Sequence, residues 1–470
     1  MERSLAADTI KDRRILDGPV TPVLFSVAIP LIINNLINSL YNLADGLWVA
    51  RLSLVEFAAT SFVWPPHYLF VSLGIGVAIA GTTIISQLIG SGDKPRAESY
   101  ASHIFYFCLA LGALFSVAGY FLSPSIVGWM GGSGDLGRHA SAYLSILMAG
   151  FIFEMLYLSF FAILGAQGKT KVTTIISACA ALMNALLDPF FIFKTVPLLG
   201  IKGLGMGISG AALATVLSQV VRVILGAYVI YAPGNEIRLR LRKIKLSLEQ
   251  FIELIRMGLP TALGQASAAL GFTLLNSEVA AYGDATIAAY AAVNRIGSFV
   301  MQPTGGIGGA LTAIVGQNIG AGKIDRVKQF NRTAFRVITV MAVVGSLVVW
   351  FVRYPILSLF ITETGKQADL VWALAIEYTI FNVFMAPMMG YFDAFTGIFS
   401  GAGYPRYAAY MSVLRLWGVR LPMIWAFRRF TDLGPMGIWI SLLVSNVVII
   451  IYAAILYWRG KWLESPRVDH

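Results

Sequence analysis

Ser86-Gln87-Leu88-Ile89-Gly90-Ser91-Gly92, with Arg96 four residues further on, returns 230 residues later as Gly316-Gln317-Asn318-Ile319-Gly320-Ala321-Gly322, with Arg326 at the same distance. In a chain of 470 residues that offset is close to half the length. The same offset carries Pro30 onto Pro260, each in the first hydrophobic stretch of its half. A slightly shorter one carries Gly210 and Ser218 to Val221 onto Gly437 and Ser445 to Val448. The chain is therefore written twice. The copies differ where charge sits: Asp45 faces Leu275 across the repeat, and Asp188 beside Pro189 faces Leu421 beside Pro422.

Composition decides the solvent around this duplicated chain. Hydrophobic residues make up 57% and charged residues 13%, about half the roughly 25% of a soluble domain. Mean hydropathy is +0.74. Stretches long enough to cross about 30 Å of hydrocarbon recur at approximately 20–48, 55–89, 98–128, 138–165, 172–195, 206–232, 247–279, 285–319, 331–361, 368–400, 407–430 and 434–458. The expected fold is all-α: twelve transmembrane helices, six in each pseudo-symmetric half. The expected division is an N-lobe at 1–232, a linker at 233–246 and a C-lobe at 247–470. The charged start, Met1 to Gly18, has no cleavable signal pattern, so the first span is expected to stay in the mature protein. A duplicated membrane protein of this size is expected to be a transporter whose halves rock about a central site.

The net charge of +11 is a topology signal and implies no nucleic-acid partner. With twelve spans both termini share one side. The loops on that side carry 22 Lys and Arg, and the opposite side carries seven. Such an excess places the termini and basic loops in the cytoplasm of a cell-membrane protein. The connection Asn235–Lys245 alternates charged and apolar residues and reads as an interfacial linker on anionic lipid headgroups. Cys108 and Cys179 lie in apolar spans and four scattered His residues form no cluster, so neither disulfide nor metal spacing is present. His67, after Pro65-Pro66, reads as a kink-region contact.

Polar groups inside spans carry the functional reading, because an ionisable side chain at mid-bilayer costs about 2.5–3.5 kcal/mol or more. Asn34, Asn38, Tyr41 or Asn42, and Asp45 line one face of the first helix. Ser177, Asn184 and Asp188 do the same in the fifth span, and Thr215, Ser218 and Arg222 in the sixth. At 1.5 Å per residue, Asp45, Asp188 and Thr215 all fall roughly 9–13 Å from the outer surface. Two carboxylates, an amide oxygen and a hydroxyl at one depth suit a small monovalent cation, and equally a shared proton. Pro30 removes one backbone hydrogen bond about four turns below Asp45 and reads either as a fixed kink or as a hinge. In the second half, Asp393 and Arg415 reach similar depth and are expected to form a structural ion pair, the alternative being a second coupling site. Met385, Met388 and Met389 read as core packing. No Gly-x-Ser-x-Gly, His-Glu-x-x-His or lysine-bearing phosphate loop is present, which argues against an intramembrane enzyme and against direct ATP drive.

Tyr41-Asn42-Leu43-Ala44-Asp45, Val315 to Gly322, Asn184-x-x-x-Asp188-Pro189 and Arg415 to Pro422 together resemble the MATE family of multidrug and toxic compound extruders, and most of all its DinF-type prokaryotic branch. The resemblance implies two pseudo-symmetric six-helix lobes around a central cleft, alternating access, and export of amphipathic, cationic organic compounds driven by inward H+ or Na+, with no other cofactor and a monomeric chain among membrane lipids. It places the coupling cation, Na+ or a proton, at Asp45, Asn184, Asp188 and Thr215. It adds Tyr41, Asn38 and Tyr143 as a supporting network and makes Pro30 the bending proline of the first helix. The seventh span lacks an acid equivalent to the glutamate of other branches, so the cation site implied is in the N-lobe alone. The alternative function is a lipid-linked precursor flippase of the same superfamily, which would want a large cationic cleft.

Overall fold

The computed structural model describes residues 13–197, 199–233, 235–241, 246–358, 361 and 365–464. Twelve helical segments succeed one another in the expected order. Spans one to three are Val20–Ala50, Leu54–Ser91 and Lys94–Trp129. The fourth is a pair, Gly134–Ala149 and Phe151–Ala166, bent by 47°. Thr170–Ile192 and Ile208–Tyr231 complete the first half. The second half runs Leu248–Ala280, Asp284–Gly320, Ile324–Leu357, Lys366–Gly401, a segmented span from Pro405 to Phe430, and Pro435–Trp458. Eight of these are individually long and apolar enough to cross a membrane, and the bent pair makes a ninth.

The duplicated glycine motif forms the same turn in both copies. The second span ends at Ser91 and Gly92 turns at φ 84°; the eighth ends at Gly320 and Gly322 turns at φ 70°. A left-handed residue here favours glycine, and in the first copy Asp93 accepts a hydrogen bond from the Arg96 N–H at 3.0 Å to start the next helix. The break in the fourth span was not expected. At that break a Cβ on Gly150 would collide with Val216, and the freed Ile152 N–H donates to Ser116 Oγ at 2.9 Å.

The chain forms two compact units, and their boundaries differ from the expected division at 232 and 247. One unit holds Ile33–Ala262 and the described residues before Asp17; the other holds Asp17–Ile32 and everything from Leu263 onward. Each half therefore lends the first part of its first helix to the other unit. The exchange points, Ile32/Ile33 and Ala262/Leu263, are 230 residues apart and lie just past Pro30 and Pro260. Glycines explain the packing. A Cβ on Gly76 would lie 2.5 Å from the Gly258 carbonyl, and one on Gly306 would lie 2.7 Å from the Ile32 nitrogen. Asp17 is also held by Lys323 at 2.6 Å, and Arg326 donates to the Gly18 carbonyl.

The linker joins the first unit rather than standing between two. Ile237 and Leu239 are buried while Arg238 and Arg240 are exposed, which satisfies the alternating pattern. Buried Glu98 pairs with Arg240, Ser102 Oγ accepts from the Arg240 N–H at 3.1 Å, and Tyr106 donates to the Leu241 carbonyl at 2.7 Å. Residues 242–245 of the linker lie outside the described residues.

Within the second unit, the eighth and tenth spans meet through small residues. A Cβ on Gly308 would lie 2.5 Å from the Asp393 carbonyl, and one on Gly401 2.5 Å from the Thr312 carbonyl, while Gly397 abuts the Gly308 carbonyl directly. Such small-residue seams are how helices approach closely in lipid, where no hydrophobic drive separates helix from solvent.

Candidate cation site

The polar stripe of the first span reaches the sixth span of the same unit through Tyr41. Asp188 and Asn184 are buried at 0% and 1% exposure, and Asn184 Nδ2 donates to Asp188 Oδ1 at 3.2 Å. One helical turn separates them, so the amide reaches the carboxylate within a single helix. Pro189 comes next and has no N–H, which leaves the Ala185 carbonyl without its helical donor at the same level. Tyr41 and Thr215 share a hydrogen bond of 3.2 Å between their hydroxyls, tying the first span to the sixth. Tyr143, buried on the fourth span, lies within electrostatic reach of the Asp45 and Asp188 carboxyls.

Three acceptors in this group take no hydrogen bond from any described residue: Asp45 Oδ1, Asp188 Oδ2 and Asn184 Oδ1. Buried acceptors without donors are rare and call for a partner. Carboxylate, amide and hydroxyl oxygens fit a proton or Na+, the hard monovalent cations that oxygen sets accept. Among the described residues no three His, Cys, Asp or Glu side chains come together, so the set does not fit a transition metal.

Among the expected residues, Asn184 bonds to Asp188 and Tyr41 to Thr215, with Asp45 and Tyr143 within electrostatic reach of them. Asn38 is half-buried and makes no hydrogen bond to the group. Pro30 lies in the same helix as Asp45 but in the segment that belongs to the second unit. Arg222, in the stripe of the sixth span with Thr215, places its guanidinium 5.3 Å over the Tyr157 ring. One polar residue outside the expected stripes also finds a partner. Glu154 sits 3.5 Å from His67 Nε2, which gives the kink-region histidine its partner.

Among its described residues, the second unit holds no counterpart of the acid pair. Leu275, opposite Asp45 in the repeat, is fully buried in an apolar cluster with Tyr378 and Trp439. Met385 joins that cluster, as core packing. The expected Asp393–Arg415 ion pair does not form. Thr304 Oγ1 lies 3.2 Å from Asp393 Oδ2, whereas Arg415 stacks 4.3 Å over Phe392 and donates to Met389 Sδ at 2.7 Å. The physical reason is local. The Phe392 ring face and the Met389 sulfur, both on the tenth span beside Asp393, hold the Arg415 guanidinium, so matched depth alone does not make the pair. Buried Arg420 is satisfied elsewhere, by Ser445 Oγ at 2.9 Å and Asn446 Oδ1 at 3.0 Å.

Among the described residues, membrane-spanning helices surround a buried set of ionisable and polar oxygens, the kind of arrangement that marks an ion or substrate path through a membrane. Sequence comparison agrees: the family described as MatE matches residues 30–190 and 260–426, and the chain belongs to that family. It is 25% identical over 446 residues to the probable multidrug resistance protein YoeA of Bacillus subtilis (strain 168), covering 93% of each chain. It is 24% identical over 444 residues to the FAD transporter of Shewanella oneidensis, covering 93% of this chain and 95% of that one. Its fold superposes with a TM-score of 0.88 on the outward-facing conformation of a multidrug resistance MATE family transporter of the MOP superfamily, at 24% identity and over 97% and 99% of the two chains.

Proposed function

We propose that this protein is an antiporter that exports amphipathic, cationic organic compounds by alternating access in exchange for H+ or Na+. The observation that carries this reading is the set of undonated buried oxygens on Asp45, Asp188 and Asn184, beside the Tyr41–Thr215 bond. In the proposed cycle, substrate binds from the cytoplasm while the two acids are unloaded. Arrival of the cation from outside changes the first helix at Pro30, and substrate leaves. Coupling requires that the loaded and unloaded states bind substrate differently. Membership in a family that includes a multidrug resistance protein supports drug-like substrates. Transport into proteoliposomes under separately imposed pH and Na+ gradients tests the proposal, with a flavin dinucleotide added to the panel because one relative is named for FAD. A tenfold ion gradient, worth about 1.4 kcal/mol, should support about tenfold accumulation per ion exchanged. Equal transport with and without either gradient would refute coupling.

The proposed orientation puts both termini and the linker in the cytoplasm of the cell membrane. Asn235 is buried, so the label belongs at exposed Arg238, compared with exposed Leu199 on the opposite side. In a Cys179→Ser background, Leu199→Cys should react with an impermeant maleimide on intact cells and Arg238→Cys only after permeabilisation. The reverse pattern would overturn the assignment.

A further inference from the structure

A cavity of ≈ 760 Å³ lies in the second unit, among the ninth, tenth and twelfth spans and the short 3₁₀ turn Lys461–Leu463. It is remote in sequence from every residue of the cation site. Lys328, Arg332 and Arg336 line one wall. Spaced four residues apart, they stack on one face of the ninth span over about 12 Å. Like charges so arranged repel one another. Lys328 has an exposed partner, Asp325, at 3.7 Å. Arg332 and Arg336 make no ion pair or hydrogen bond among the described residues.

The rest of the wall is aromatic. Phe335 packs against Tyr391 and Phe395 at ring separations of 5.7 and 5.1 Å, and Tyr457 stacks on Trp462 at 5.0 Å. Trp462 Nε1 donates to the Tyr457 carbonyl at 2.8 Å, which fixes the C-terminal turn against the cavity. Trp458, 80% exposed, stands at the rim. The level of this wall is informative. Residues 337–352 of the ninth span carry no charge, so the cation column ends where the apolar run begins. That is headgroup depth, where Trp and Tyr also concentrate. Beyond Arg336 the lining continues with Thr339, Ile450 and Ala454 toward the hydrocarbon.

The geometry points to a binding site for one anionic phospholipid, its phosphate on Lys328, Arg332 and Arg336 and its acyl chains along the apolar continuation of the cavity. In the orientation proposed above this lipid belongs to the cytoplasmic leaflet, and its site shares no residue with the cation site. Three cations against one exposed acid reject a cationic organic ligand. They also favour a headgroup of net negative charge over a zwitterion. A soluble organic phosphate would use the cations but leave the apolar continuation unfilled.

Native mass spectrometry of the full-length protein tests this, with equimolar dioleoylphosphatidylglycerol and dioleoylphosphatidylcholine in a non-ionic detergent. The unaltered protein should retain one phosphatidylglycerol in clear preference. With two arginines acting near the membrane surface, R332Q/R336Q should cut that preference about 30-fold. If the double variant does not fold, Arg336→Gln alone should cut it about fivefold. Millimolar sn-glycerol 3-phosphate should not displace the lipid. Equal retention of the two lipids by the unaltered protein, an unchanged preference in the variants, or displacement by the free headgroup phosphate would each overturn the assignment.

Discussion

Asp188→Asn and Asp45→Asn are each expected to abolish ion-driven substrate accumulation while leaving folded yield near that of the unaltered protein. The amide keeps the shape of the carboxyl but removes the negative charge that would hold Na+ or take up a proton. Accumulation should fall from about tenfold per tenfold gradient to unity. Asp188 carries the stronger expectation, because it is fully buried, its Oδ2 has no donor, and its Oδ1 is already held by Asn184. The same exchange at Asp393 is the comparison. Its carboxylate lies beside Thr304 without a direct ion pair to Arg415, and the gradient response per folded molecule should persist. Accumulation at the unaltered level in both Asp45→Asn and Asp188→Asn would make the acid pair structural. Loss of ion dependence in a stable Asp393→Asn protein would move a coupling site into the second unit.

Gly397→Ala is expected to destabilise the protein by about 2 kcal/mol, and Gly397→Leu to prevent recovery of a monodisperse protein in detergent. The new Cβ would press on the Gly308 carbonyl, a backbone atom that cannot rotate away, and overpacking of this kind costs about 1–3 kcal/mol or more. Gly128 is the control, since nothing lies within 4 Å of a Cβ placed there. Melting temperatures measured in one detergent should separate the two alanine variants clearly. Coincident melting of Gly397→Ala and the unaltered protein would show that the eighth and tenth spans do not meet at this seam.

Much of the site was legible because it is built from groups that stand out chemically against their surroundings. A carboxylate, an amide and a hydroxyl at helical spacing in apolar spans are conspicuous by composition alone. Asn184 and Asp188 even make their bond within one helix, so no tertiary knowledge was needed to pair them. Asn38 was read from the same stripe as Tyr41, yet only Tyr41 finds a partner there. A stripe locates a face to within about a turn, and the choice among its members depends on the neighbouring helix. Arg222 and Glu154 fall in the same class: their partners, Tyr157 and His67, come from other spans.

The sequence by itself determined the duplication, the order of the helical spans, the glycine turns that join the second and third helices of each copy, and the inequality of the copies at Asp45 and Leu275. All of these are local or periodic properties, written in spacing, hydropathy and residue type. Tertiary structure alone decided that each half lends the start of its first helix to the other unit, since that depends on whether Gly76 and Gly306 admit a backbone from far along the chain. It also decided that Arg415 turns to Phe392 and Met389 rather than to Asp393. The competition of neighbours for one buried guanidinium has no period in the sequence, and only packing resolves it.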